Sequence, residues 1–279
     1  MRKGSFALVL LTIVLTVVLV GCGKSKAEQT VPPALADGTY FALEDTYDDN
    51  GWKSTITITV SGGAISAIDW NGASVNGGLD KKSYDKAGNY NMVKYGNAIA
   101  EWYEQAQRAE QFLLNNPDQL NAAKIDAISG VSIEVEPMFA LARKALAAGP
   151  VGKGPYADGP YWASEEDFDE AGWKGNISMT VINGTIAAVN WNGVNANGEN
   201  KKEYDKAGKY NMVKFGNAIA EWYQQAQKVE EYLIKTQDPA AIAYKDSEGH
   251  TDAISGATIS VDGFFNLASK ALANGPTQQ

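Results

Sequence analysis

YDKAGNYNMVKYGNAIAEWY, residues Tyr84 to Tyr103, returns as YDKAGKYNMVKFGNAIAEWY, residues Tyr204 to Tyr223, with only Asn89 (Lys209) and Tyr95 (Phe215) replaced. The chain is therefore a tandem repeat, and its fold is the fold of one unit taken twice. Outward from this run the copies keep matching. Asp37-Gly38-Thr39-Tyr40 recurs as Asp158-Gly159-Pro160-Tyr161, Gly51-Trp52-Lys53 as Gly172-Trp173-Lys174, and Asp69-Trp70-Asn71-Gly72 as Asn190-Trp191-Asn192-Gly193. The offset is 121 in these blocks, 120 in the long run and 126 near the C-terminus, where an insertion around Lys245–His250 accounts for the growth. Units of about 110 residues suit two domains, 37–149 and 158–279, with the Gly- and Pro-containing stretch 150–157 as linker. Solenoid repeats are much shorter and need more copies.

Each unit reads the same way. Ile56, Ile58 and Val60 alternate with Thr55, Thr57 and Thr59, which predicts a half-buried strand. Gly62-Gly63 offers a hairpin turn into a second strand over Ala64–Trp70, and Asn183-Gly184 does the same in the other copy. A helix is predicted around Val93–Asn115, with Ile99, Trp102, Tyr103, Ala106 and Leu113 on its buried stripe; its twin carries Ile219, Trp222, Tyr223, Ala226 and Leu233. The class is α+β, an antiparallel sheet with helices packed on it, in two copies.

Two stretches carry the polar chemistry. The segment between hairpin and helix holds Asn71, Asn76, Lys81, Lys82, Tyr84, Asp85, Tyr90, Asn91 and Met92, matched by Asn192, Asn197, Lys201, Lys202, Tyr204, Asp205, Tyr210, Asn211 and Met212. Its Gly and Asn content predicts an ordered loop. Trp70, Trp191, Tyr84, Tyr204 and the Tyr-Asn-Met triplets have the flat faces and edge hydrogen-bonding groups that a planar heterocycle needs, and they serve equally well as core closure and turns. The second stretch ends each unit: Asp126-Ala127-Ile128-Ser129-Gly130-Val131-Ser132 and Asp252-Ala253-Ile254-Ser255-Gly256-Ala257-Thr258. Behind Thr258, the residues Val261, Phe264, Phe265, Leu267, Ala268, Ala271 and Leu272 recur at helical spacing and stop at Asn274-Gly275. Thr258 then sits at or just before a helix N-terminus. There it is either an ordinary N-cap or a hydroxyl placed where free N–H groups and the macrodipole favour a phosphate.

The N-terminus has a different character. Arg2 and Lys3 precede the apolar run Phe6–Val20, and residues 1–21 read as a signal peptide. A run of about 15 apolar residues is short of the ~20 needed for a spanning helix. Leu19-Val20-Gly21-Cys22 resembles a bacterial lipobox, which implies lipidation of Cys22 and an anchor on the outer face of the cell membrane. Residues 22–36 form a polar, Pro-containing tether, about 20 Å across as a flexible coil. Cys22 is the sole cysteine and His250 the sole histidine. Intrachain disulfides, a thiolate nucleophile and His-rich metal sites are thereby excluded, and His250 is read as a surface loop residue. No catalytic residues and no metal ligands are assigned. Loss of Arg2 and Lys3 takes the formal charge from −9 to −11, which argues against nucleic acid as a partner.

Asp-x-x-Ser-Gly-Ala-Thr resembles the flavinylation motif of the FMN-binding domain family. The second copy matches at Asp252, Ser255, Gly256, Ala257 and Thr258. The first matches at Asp126, Ser129 and Gly130 and departs at Val131 and Ser132. The resemblance implies FMN joined through its phosphate to Thr258, and to Ser132 in the first copy, by a separate flavin transferase that uses FAD and magnesium. The isoalloxazine contacts would come from Trp70, Trp191, Tyr84, Tyr204, Asn91, Met92, Asn211 and Met212. With two such units behind a lipobox, the chain is similar to the PplA-type lipoproteins of Gram-positive bacteria. That similarity implies an extracellular electron carrier rather than an enzyme with its own substrate. It would pass electrons from a membrane quinone-linked system to acceptors such as ferric iron. The residues alone also allow a non-redox ligand-binding or structural surface lipoprotein, and a signal-peptide tail released as a pheromone.

Overall fold

The alternation at Ile56, Ile58 and Val60 becomes the middle strand of a three-stranded antiparallel sheet in a computed structural model that describes residues 34–122, 124–125 and 127–277. The signal peptide, Cys22, most of the tether and Asp126 lie outside the described residues. In the first repeat β1 (Gly38–Leu43) and β3 (Ala64–Ser74) flank β2 (Trp52–Ser61), with Tyr40 opposite Ile58 and Ile56 opposite Trp70. In the second, β4 (Gly159–Ser164) and β6 (Thr185–Asn195) flank β5 (Trp173–Ile182) in the same register, with Tyr161 opposite Met179 and Ile177 opposite Trp191. Asn183 and Gly184 both take positive φ, 52° and 68°, as the tight turn between β5 and β6 requires.

Helices cover one face of each sheet. The first repeat continues with α1 (Lys81–Lys86), α2 (Met92–Gly96), α3 (Trp102–Asn115) and α4 (Glu136–Ala148). The second continues with α5 (Lys201–Lys206), α6 (Met212–Gly216), α7 (Trp222–Thr236) and α8 (Asp262–Asn274). Helix α3 lies on β3 and α4 on β1 and β2, closing a core of Tyr40, Ile56, Ile58, Trp70, Trp102, Leu113, Met138 and Phe139. The second core repeats it with Tyr161, Ile177, Met179, Trp191, Trp222, Leu233, Phe264 and Phe265. The α+β class holds in both copies, and the apolar run behind Thr258 becomes the buried stripe of α8, which ends at Gly275 with φ 77°.

Two expectations about local structure change. The helix predicted over Val93–Asn115 is two helices. Asn97 turns left-handed (φ 51°) and ends α2, and Glu101 starts α3 with a capping box, its backbone N–H donating to Glu104 Oε2 at 3.0 Å. Ile99 falls in the gap and is exposed, as is Ile219 in the twin, so neither belongs to the stripe. The segment Asn71–Met92 is not one loop either. Asn71 extends β3, and Asp80 caps α1 by accepting from Ser83 N at 3.0 Å. Short polar runs with local caps carry too little periodicity to be read as helices.

The hairpin end of the second sheet rests on the helix-free face of the first. Ile182, Ala187 and Ala188 of the second repeat cluster with Ala73, Phe41 and Tyr47 of the first, and Thr180 Oγ1 donates to the Gly78 carbonyl at 2.8 Å. This contact is small beside the two cores. Fragments 37–149 and 156–279 are therefore each expected to melt cooperatively when followed by circular dichroism. Two broad, non-cooperative melts would mean that the repeats are not separate domains.

Candidate functional site

Gln225 organises the C-terminal motif. It projects from the first turn of α7 and is fully buried. Its Nε2 donates to the Ala220 carbonyl at 2.8 Å. Its Oε1 accepts from Thr258 N at 2.7 Å, Thr258 Oγ1 at 3.2 Å and Ile259 N at 3.3 Å. The first repeat builds the same clamp: Gln105 Nε2 donates to Ala100 O at 2.8 Å, and its Oε1 accepts from Ser132 N at 2.7 Å, Ser132 Oγ at 3.1 Å and Ile133 N at 3.2 Å. The backbone around each hydroxyl is thus held by a buried amide while the hydroxyl residue itself stays exposed.

This geometry replaces the helix-cap expectation. Helix α8 begins at Asp262 with Val261 as N-cap, and α4 begins at Glu136 with Val135 as N-cap. Thr258 and Ser132 each lie three residues ahead of their cap, so neither caps the helix. The macrodipole acts within the first turn, so it is not what would hold an anion at these hydroxyls.

The nearby positive charge comes from a side chain. Lys228, one turn beyond Gln225, donates to the Gly256 carbonyl at 3.4 Å. Arg108, one turn beyond Gln105, donates to the Gly130 carbonyl at 2.6 Å. Gly256 and Gly130 have φ of 80° and 76°, and a Cβ at either would collide with the tip of that cation. The left-handed turn is what favours glycine here, since the tip of a flexible cation can move aside. A cation two residues from an exposed hydroxyl suits a phosphodiester formed on that hydroxyl.

The segment that each glutamine holds through Ala220 or Ala100 ends an exposed apolar loop. The α6 loop exposes Val213, Phe215 and Ile219 to 45%, 74% and 64%, and the α2 loop exposes Val93, Tyr95 and Ile99 to 45%, 73% and 65%. The loops are pinned in this form. Asn91, Asn97, Asn211 and Asn217 are all left-handed, and Glu221 and Glu101 accept from Met212 N and Met92 N at 2.7 Å. Each loop joins the clamp through Ala220 or Ala100. Hydroxyl, cation and exposed apolar loop are what a phosphate-tethered planar ring requires, so the residues fit FMN.

The other candidates are distributed more widely. Asp252 is exposed beside Lys245, 3.4 Å away, and Ser255 and Ser129 are exposed in the turn. Ala257 is buried in the second core. Trp70 and Trp191 are core residues, tilted on Trp102 and Trp222 at 5.3 and 5.1 Å. Tyr84 and Tyr204 stand edge-on to Trp52 and Trp173, 5.4 Å apart in each case. These pairs belong to aromatic nests around buried lysines: Lys81 Nζ lies 4.6 Å from the Trp102 ring and 5.1 Å from Tyr90, and Lys201 Nζ lies 4.5 Å from Trp222 and 5.1 Å from Tyr210. Burial pushes both ammonium groups below the ordinary lysine value. Asn91, Met92, Asn211 and Met212 start the exposed loops. His250 is partly exposed and pairs with Asp246 at 2.9 Å. Among the described residues no cluster of His, Cys, Asp or Glu could hold a metal ion, and no helix is long and apolar enough to cross a membrane.

Sequence reasoning missed Gln105, Gln225, Arg108 and Lys228. One signal was available: a glutamine recurs in the same helical turn of both copies, followed three residues later by a cation.

Comparison with known proteins bears on the second repeat. Residues 172–273 match the family model of the FMN-binding domain. A solution NMR structure from Clostridium thermocellum is 51% identical over 44% of this chain and 94% of its own, with a TM-score of 0.36. A crystal structure of a Clostridium perfringens protein is 25% identical over 41% of this chain and 88% of its own, with a TM-score of 0.35. No curated protein matches the chain.

Proposed function

We propose that the chain is a lipid-anchored, PplA-type extracellular electron carrier with one FMN on each repeat, bonded to Thr258 and Ser132. The observation that carries this reading is the recurrence, in both repeats, of an exposed hydroxyl on a glutamine clamp with a cation and an apolar loop beside it. In the attachment step the hydroxyl oxygen bonds to the FMN phosphorus of FAD, the pyrophosphate bond breaks, and AMP leaves as the hydroxyl proton passes to a base of the transferase. Bound FMN supplies one- and two-electron transfer. The chain's residues hold it: Lys228 and Arg108 balance the diester charge, and the exposed loops offer the ring an apolar seat. Electrons would enter from a membrane quinone-linked donor and leave to acceptors such as ferric iron.

Intact mass of the native, membrane-extracted protein tests the reading, since it counts flavins and lipid together. Two FMN per chain are expected. A chain carrying none, in cells that hold the transferase, would favour a non-redox binding protein.

The anchor is tested at Cys22, motivated by the Leu19-Val20-Gly21-Cys22 site. Cys22→Ala is expected to release the protein into the medium or leave its signal uncleaved, as seen by fractionation and lipid labelling. An unchanged, lipid-labelled product would place the anchor elsewhere.

A further inference from the structure

The contact between the repeats is head-to-tail. The hairpin of the second repeat (Ile182, Ala187, Ala188) packs on the open sheet face of the first, at Ala73, Phe41 and Tyr47. Such a contact joins two different surfaces, and each repeat carries both of them. Among the described residues, one hairpin and one sheet face are therefore left without a partner in the other repeat.

The unused sheet face is on the second repeat. At the repeat offset, Phe41, Tyr47 and Ala73 correspond to Trp162, Phe168 and Val194. These three are 53%, 50% and 36% exposed, whereas Ala73 is fully buried. The unused hairpin is on the first repeat, where Ile182, Ala187 and Ala188 correspond to Ser61, Ser66 and Ala67, all exposed. The substitutions are complementary in size. Ala73 becomes Val and Phe41 becomes Trp on the free sheet face, while Ile182 becomes Ser on the free hairpin. The bulk gained on one side matches the bulk lost on the other, as close packing demands.

We infer that Trp162, Phe168 and Val194 form a docking face for a second copy of this chain, which adds through the first-repeat hairpin at Ser61, Ser66 and Ala67. The contact reproduces the internal one, so copies stack in the order in which the repeats do. A heterologous contact of this kind does not close on itself in pairs, and larger assemblies follow as concentration rises. The acidic chain repels its copies, and salt near physiological strength screens that repulsion beyond roughly 8 Å.

Sedimentation velocity of the full chain at that ionic strength tests the inference. The wild type is expected to shift to larger species with concentration, while Trp162→Ser/Phe168→Ser and Ser66→Lys each remain monomeric. Mixed at equal amounts, the two variants each keep one good face, and they should form dimers and nothing larger. Thermal melts matching wild type establish that the variants are folded. If the double variant melts early, Val194→Lys tests the same face. A wild type that is monomeric at every concentration, association that survives either substitution, or a mixture that stays monomeric would each overturn the inference.

Discussion

Thr258→Ala combined with Ser132→Ala is expected to leave the chain without covalent flavin, and Thr258→Ala alone to remove about half of it. The acceptor for phosphoryl transfer is a side-chain hydroxyl, and among the described residues no other exposed hydroxyl sits on the glutamine clamp of either repeat. Ser132 should also modify less readily, because Val131 stands where the second copy has Ala257. Any ferric reduction that depends on this protein should disappear with the flavin. The fold should survive. Gln225 keeps its bonds from Thr258 N and Ile259 N, and only the hydroxyl bond is lost, a loss on the order of 1 kcal/mol. Flavin absorbance after denaturation, in cells carrying the transferase, is the measurement. A double variant that stays yellow would locate the attachment on another residue.

Lys202→Met is expected to cost about 3–5 kcal/mol of folding stability, the range for removing one partner of a buried ion pair. Lys202 Nζ lies 2.6 Å from Glu230 Oε1 and 2.7 Å from Asn190 Oδ1, and the same Glu230 oxygen accepts from Trp191 N at 2.5 Å. The pair thus ties α5, α7 and β6 together. Without the lysine, Glu230 is a buried carboxylate with a single backbone donor. Burial already pushes its carboxyl up to about 7, against 4.5 for an ordinary glutamate. In the variant it rises further, so between these values the folded state binds more protons than the unfolded one, and stability falls as pH rises. The deficit should therefore be smaller at about pH 5 than at about pH 8 in urea denaturation. A deficit that does not change with pH would mean that the loss is one of packing alone. Asp69→Asn in the first repeat is the contrasting case. It recreates the second repeat's Asn190, and Lys82 retains Glu110 at 2.6 Å, so a small effect is expected.

The repeat, the α+β class, the hairpins and the stripe of α8 were legible in the chain alone. Each is a local pattern: alternation at Ile56–Val60, Asn-Gly and Gly-Gly turns, and helical spacing from Val261 to Leu272. The hydroxyl motif was legible too, because its residues are contiguous. Its setting was not. Gln225 reaches Thr258 across 33 positions and Lys228 reaches Gly256 across 28, and no periodicity marks which polar residue of an amphipathic helix turns inward. The break at Asn97 escaped for a related reason: Ile99 fits the helical spacing, and only a left-handed asparagine and a capping box decide that it lies outside. Tertiary structure also settled which faces meet. Ile182 and Trp162 are both apolar residues on strands, and only the packing of one sheet against the other buries the first and leaves the second in water.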